Sequence, residues 1–147
     1  MKLRFKWFAL LAWMIIIFLF SAQTGEQSSE SSGLVEQLLS IFSFIPHEIF
    51  GIELQLIIRK GAHFTEYFIL YGLMFNVLID YQPFKKALTL AILFVFLYAC
   101  TDEFHQSFVP GRACTFMDVL IDTSGGLLAM IFIMLIHQIS PFITKKA

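Results

Sequence analysis

Three Lys/Arg, two His and five carboxylates lie inside or at the ends of three strongly apolar segments, and no other feature limits the fold as much. The segments run over Gln55–Ile79, Ala87–Gln106 and Met117–Gln138. The ionisable groups are Arg59, Lys60, His63 and Glu66; then Asp102, Glu103 and His105; then Arg112, Asp118 and Asp122. On insertion scales a charge at the bilayer centre costs about 2.5–3.5 kcal/mol. A handful left unpaired would cancel the ~5–15 kcal/mol net stability of a whole domain. These groups must therefore meet one another, water or a ligand, which makes them candidates for a functional site.

That the segments belong in a membrane follows from composition. The 147 residues are 58% hydrophobic and only 14% charged, with 18 Phe, against ~45–50% and ~25% in a soluble domain. A net charge of -1 argues nothing about nucleic acid, but there is no basic stripe or aromatic platform to hold it, so no nucleic-acid partner is expected. Cys100 and Cys114 have neither metal-binding nor disulfide-framework spacing and read as free thiols. A fourth apolar segment, Trp7–Phe20, follows Lys2, Arg4 and Lys6. A cleavage site after Ala22 would need a small residue where Phe20 stands, so the segment reads as an uncleaved anchor extending over Phe5–Ala22. Lys6 would snorkel at its end.

The expectation is an all-α integral membrane protein of one domain. Its four transmembrane helices, at about 5–22, 55–79, 87–106 and 117–138, form a bundle. Lys2, Arg4 and Lys6, then Lys85 and Lys86, then Lys145 and Lys146 all fall on one side if both termini are cytoplasmic, as the positive-inside rule requires. Arg59, Lys60 and Arg112 are the remaining cations, and they belong to the polar cluster. In that orientation every polar feature converges on the extracytoplasmic half. The inner half is apolar apart from Asn76 and Thr89, so no polar row crosses the membrane and a transporter is disfavoured.

Between the first two apolar segments, Thr24–Gly33 is rich in Ser, Glu and Gln and reads as a solvated loop. In Leu34–Phe44, Leu34, Val35, Leu38, Leu39 and Phe42 share one helical face opposite Glu36, Gln37, Ser40 and Ser43. It reads as a short amphipathic helix on the outer membrane surface, ended by Pro46; its polar face lacks the Lys/Arg common in such anchors, so packing across the bundle mouth is the alternative.

Spacing groups the polar residues further. Arg59, His63 and Glu66 form one stripe, with Lys60 and Tyr67 beside it. At ~1.5 Å rise per residue Glu66 lies ~16 Å below Gln55, near mid-bilayer. Tyr98, Asp102 and His105 share a face, with Gln106 beside it and Glu103 turned away. Asp118, Asp122, Gly125 and Ala129 share another, acidic near the surface and small deeper in, where a second helix could approach closely. Thr115 to Asp118 also has the form of a capping box.

Three uses of this set compete. As interhelical locks, Arg59 would pair with Asp102 or Asp122, and Arg112 with a neighbouring acid. Five acids against three cations leave carboxylates over, however. As an anion grip, Arg59, Lys60 and Arg112 would hold a phosphate or carboxylate, with Arg112 on a mobile Pro110-Gly111 arm. As an enzyme, His63, Glu66, Asp102, Glu103 and His105 would run acid–base chemistry. The HxxE and DExH pairs also supply donors suited to a divalent metal, although no cofactor is demanded.

At these residues the chain resembles the VanZ-like family. The matching elements are Ser21 and Gln23; Arg59-Lys60 with His63, Glu66 and Tyr67; Asp102-Glu103-Phe104-His105-Gln106; Pro110-Gly111-Arg112; and Asp118 with Gly125. The family pattern usually carries Asn where this chain has Asp122. The resemblance implies a multi-pass protein of the bacterial plasma membrane. It also implies a link to glycopeptide resistance of the teicoplanin type. Together with the residues, it suggests binding of an anionic, lipid-anchored ligand, either a peptidoglycan precursor or an acylated glycopeptide. Ser21, Gln23, Arg59, Lys60, Tyr67, Gln106, Arg112, Asp118 and Asp122 would be the contacts. Membrane lipid is the other expected partner.

The orientation is directly testable. Reporter fusions should place both termini and Lys85 in the cytoplasm, and Glu30 and Phe108 outside; a cytoplasmic Phe108 would invert the assignment.

Overall fold

Where the sequence places apolar runs, the computed structural model places helices. It describes residues 3–41 and 48–144, with side chains as far as Ile139. The helices are α1 (Leu3–Ser21), α2 (Gly25–Ser40), α3 (Leu54–Leu78), α4 (Phe84–Gln106) and α5 (Phe116–Thr144). Ahead of α3, β1 (Glu48–Ile49) pairs antiparallel with β2 (Ile52–Glu53). Phe50 and Gly51 turn between them, both with positive φ, as a two-residue hairpin turn requires. All-helical architecture is therefore as expected, apart from this minimal hairpin.

By length and composition, α1, α4 and the Phe116–Ile139 part of α5 can each cross a bilayer. The 25-residue α3 differs because it carries Arg59, Lys60 and Glu66. It is also the hub, packing against each of the other four helices. Tyr67, Leu70, Tyr71, Met74 and Val77 of α3 are buried against Ala87, Ala91, Val95 and Ala99 of α4. The small residues of α4 recur every fourth position and form a low ridge that admits a close neighbour. Leu10 and Ile17 of α1 and Val119 and Ala129 of α5 complete the core. Outward-facing Phe8, Phe18, Leu93, Leu97, Leu128 and Phe132 are exposed, as lipid-facing side chains should be.

Polar side chains tie the helices through backbone carbonyls. The Trp13 indole donates to Glu66 O at 2.9 Å, Tyr98 to Met14 O at 2.9 Å, and Tyr71 to Leu88 O at 3.2 Å. Lys6 does not simply snorkel. Its ammonium reaches Asp80 at 2.6 Å and Asn76 O at 2.9 Å, joining α1 to the C-terminal end of α3.

The region after α1 corrects the expectation. Gly25–Gly33 is not a solvated loop but the first half of α2. Thr24 caps it through a reciprocal pair: its hydroxyl accepts from Gln27 N at 3.2 Å, and its own N donates to Gln27 Oε1 at 3.0 Å. Ser28 and Ser32 are buried, and Gln55 of α3 donates to Ser29 O at 2.6 Å. The expected amphipathic segment forms the second half of this helix through Ser40, and Phe42 to His47 lie outside the described residues. Leu34, Val35 and Leu38 are exposed.

Two glycines set the closest approaches. A Cβ at Gly125 of α5 would overlap the Phe64 backbone carbonyl of α3, and one at Gly126 would press on Val95 of α4 at 2.8 Å. Gly125→Ala should therefore lower thermal stability in detergent by ~1–3 kcal/mol, because the obstacle is backbone that cannot rotate away. At Gly72 a Cβ meets nothing within 4 Å, so Gly72→Ala should be neutral or stabilising by up to ~1 kcal/mol. Equal melting temperatures for the two variants would show that the α3–α5 approach is not tight.

Candidate functional site

The polar residues gather at one end of the bundle, where α1 and α4 end and α3 and α5 begin. The 107–115 connection closes over them and is itself anchored. Glu103 accepts from Thr115 N at 2.9 Å, and Pro110 O accepts from Gly25 N at 3.0 Å. Gly111 takes a positive φ of 73°. A Cβ on Gly25 would overlap the Gly111 carbonyl, so the start of α2 is pressed against this turn. Thr115 then caps α5, accepting from Asp118 N at 3.3 Å; the reciprocal half of the capping box does not form, because the Thr115 N–H goes to Glu103 and the Asp118 carboxylate to Lys60.

Two clefts open at this end. The larger, about 250 Å³, lies among α1, α2, α3 and the connection. Phe20, Val35, Ile58 and Ala62 give it an apolar wall; Gln23, Ser28, Ser31 and Ser32 are polar, and Arg59, His63, Glu66 and Arg112 are ionisable. The predicted stripe Arg59, His63 and Glu66 thus faces one space. The smaller cleft, about 180 Å³, is lined by Lys60, Gln106, Asp118 and Thr115 as well as Arg59, His63 and Arg112. The last three border both clefts.

The expected ion-pair locks do not form as drawn. Lys60, not an arginine, pairs across the helices, and its partner is Asp118. Among the described residues neither Arg59 nor Arg112 has a carboxylate within 4.0 Å. Arg112 donates to Ser28 Oγ at 2.8 Å. Burial first, and then the neighbouring Arg59, pulls the Arg112 guanidinium below its usual pKa, while Asp102, Glu103 and Asp118 pull the other way. A guanidinium remains cationic throughout. Two cations therefore share an amphipathic cleft without bound counter-charge from the protein.

Beneath the clefts is a dry polar core. His63 Nδ1 lies 3.4 Å from Asp122 Oδ1, and a ligand atom from each of His63, Asp102 and Asp122 falls within 4.8 Å of the others. Asp122 and Tyr67 are 0% exposed and Asp102 6%. Gln106 donates to Asp102 Oδ2 at 3.1 Å.

The remaining expected site residues scatter. Glu66 lines the large cleft, and Glu103 holds the connection. His105 lies between α4 and α1, with Nδ1 3.1 Å from Ser21 Oγ and its ring 4.8 Å from that of Phe18. The HxxE and DExH sets therefore do not assemble as one metal-binding group; only His63 and Asp102 from them meet. Ser28 and Ser32, which line the larger cleft, were missed by reading the sequence. The Thr24-Gly-Glu-Gln27 capping box was the signal that would have placed them on a helix.

No curated protein and no solved structure matches the chain. The family model VanZ/LLP1 matches residues 5–137, nearly the whole length. With three helices of membrane-crossing length and composition, the chain is a membrane protein belonging to the VanZ/LLP1 family.

Proposed function

We propose that this protein is a multi-pass protein of the bacterial plasma membrane that binds an anionic, lipid-anchored ligand in the larger cleft. In this reading α3 is the fourth spanning helix. Its charged half is enclosed by α1, α2, α4, α5 and the 107–115 connection, so it need not face lipid. The clefts face outward, and the exposed Leu34, Val35 and Leu38 of α2 rest on the outer membrane surface. One observation carries the proposal: Arg59 and Arg112, neither with a carboxylate within 4.0 Å among the described residues, line one cleft with the apolar Phe20, Val35 and Ile58. An anionic headgroup would pair with them bidentately, while Phe20, Val35 and Ile58 would take the start of its acyl or prenyl chain. The ligand classes are a peptidoglycan precursor and an acylated glycopeptide, which share an anionic group and a lipid tail. The second is consistent with a contribution to teicoplanin-type resistance.

A second reading, a membrane-embedded enzyme acting on a lipid-linked envelope substrate, draws on the nearness of His63 to Asp122. That pair borders the cleft through His63 and has the elements of acid–base catalysis.

The test is equilibrium binding to the purified protein in nanodiscs of zwitterionic lipid. The probes are a polyprenyl pyrophosphate, the uncharged polyprenol, teicoplanin, and a glycopeptide without an acyl tail. Only probes with both charge and tail should bind tightly. Losing a charge-assisted hydrogen bond costs about 1.5–3 kcal/mol, so Arg112→Ala should weaken binding about 10–100-fold. Arg112→Lys keeps the charge but loses the planar fork, and should fall between wild type and Arg112→Ala. His105→Gln, remote from the cleft, should leave binding within about twofold. Equal affinity for the pyrophosphate and the polyprenol would refute the anion grip. Turnover of the pyrophosphate probe, abolished by His63→Gln with binding intact, would favour the enzyme.

A further inference from the structure

We infer that His63, Asp102 and Asp122 form a divalent-cation site, filled by a transition ion of the Zn2+ or Mn2+ kind. This goes beyond the anion grip and does not depend on it. Imidazole with carboxylates is a donor set that such ions favour. The three residues come from α3, α4 and α5, so no single helix or motif displays the set. With metal–ligand bonds of about 2.0–2.2 Å, the ligand atoms of a tetrahedral site stand ~3.3–3.6 Å apart. The observed spread of 4.8 Å is wider by about 1.2 Å, which side-chain rotation at the three residues must close on binding.

The independent sign of a ligand is the unmet bonding capacity at the centre. Asp122, a residue with no exposed surface, has no hydrogen-bond partner at Oδ2, its Oδ1 has His63 Nδ1 beside it at 3.4 Å, and the buried Tyr67 hydroxyl is likewise unsatisfied. Buried polar atoms in proteins are nearly always satisfied. Two carboxylates also face each other here with no Lys or Arg within 4.0 Å among the described residues. A divalent ion neutralises both with one charge centre and satisfies the orphaned atoms together. The outer contact suits this role: Gln106 holds one oxygen of Asp102 and leaves the other for the ion. Three protein ligands leave a coordination position open to water, beside the cleft that His63 also lines.

The experiment uses full-length protein in zwitterionic detergent, stripped with chelator and titrated with Co2+, without phosphate or polyprenyl probes. Failure here would leave the anion grip standing. About one Co2+ should bind per chain, with visible d–d absorption and no sulfur charge-transfer band. Asp122→Asn, Asp102→Asn and His63→Gln should each weaken binding about tenfold or more. Asp80→Asn, which loses only the Lys6 pair at the other end, should stay within about twofold. Zn2+ should raise the melting temperature of the wild type but not of Asp122→Asn. Should Asp122→Asn fail to fold, the other two substitutions and the wild-type stoichiometry decide. A folded wild type binding no Co2+, or stoichiometric binding kept in all three variants, would overturn the assignment.

Discussion

The packing of α5 against α3 at Gly125 is the contact on which the polar end depends. With hydrogen in place of a side chain, the α5 backbone can approach the Phe64 carbonyl, where any Cβ would overlap it. The residue before Phe64 is His63, and Asp122 stands three residues before Gly125, about one turn away. Close approach at the glycine therefore carries the imidazole and the carboxylate to 3.4 Å. Gly126, next along α5, lets Val95 of α4 come in from another direction, and the same seam draws in Asp102. A helix pair held apart by even a methyl group would leave these groups in separate environments.

Around that seam the ionisable residues are sorted by depth and by partner. Lys60 with Asp118 joins α3 to α5 near the opening. Arg59 and Arg112 divide two clefts. Glu103 is used to hold the 107–115 connection. His63, Asp102 and Asp122 come together from three helices, with Asp122 fully buried. At the other end of the bundle Lys6 pairs with Asp80, the Trp7 indole donates to the Tyr81 hydroxyl at 3.3 Å, and the packing is largely apolar and small. This asymmetry suits a protein that meets its ligand from one side of a membrane. It also suits α3, which carries Arg59, Lys60 and Glu66 and packs against each of the other four helices.

The two proposed ligands would occupy different layers of that arrangement. The arginines face an amphipathic space that accepts a headgroup and the start of a chain. The buried trio brings three donor atoms within 4.8 Å of one another, a set that one ion would bridge. His63 borders both, so an ion at the trio would set the electrostatics of the cleft floor, and a negative headgroup above would feel it. This coupling follows from position alone, because charges a few ångströms apart in a dry site are screened little.

Much of this was legible along the chain. Hydrophobic runs predicted four long helices to within a few residues, because burial in lipid demands continuous apolar length. Helical periodicity predicted that Arg59, His63 and Glu66 share a face and that Gly125 and Ala129 mark a close approach, because each is a property of one helix read alone. The start of α2 was legible too, in the box formed by Thr24 and Gln27, but its Ser/Glu/Gln composition argued for a loop. The partnerships were not legible. Periodicity states which residues share a face; it does not state the rotation or height at which two faces meet. Tertiary packing alone decided that Lys60 rather than Arg59 takes a carboxylate. It also decided that His105 turns to α1, and that one residue from each of α3, α4 and α5 converges in a dry core. Such pairings are set by where backbones can touch, and here that was determined by two glycines and a ridge of alanines.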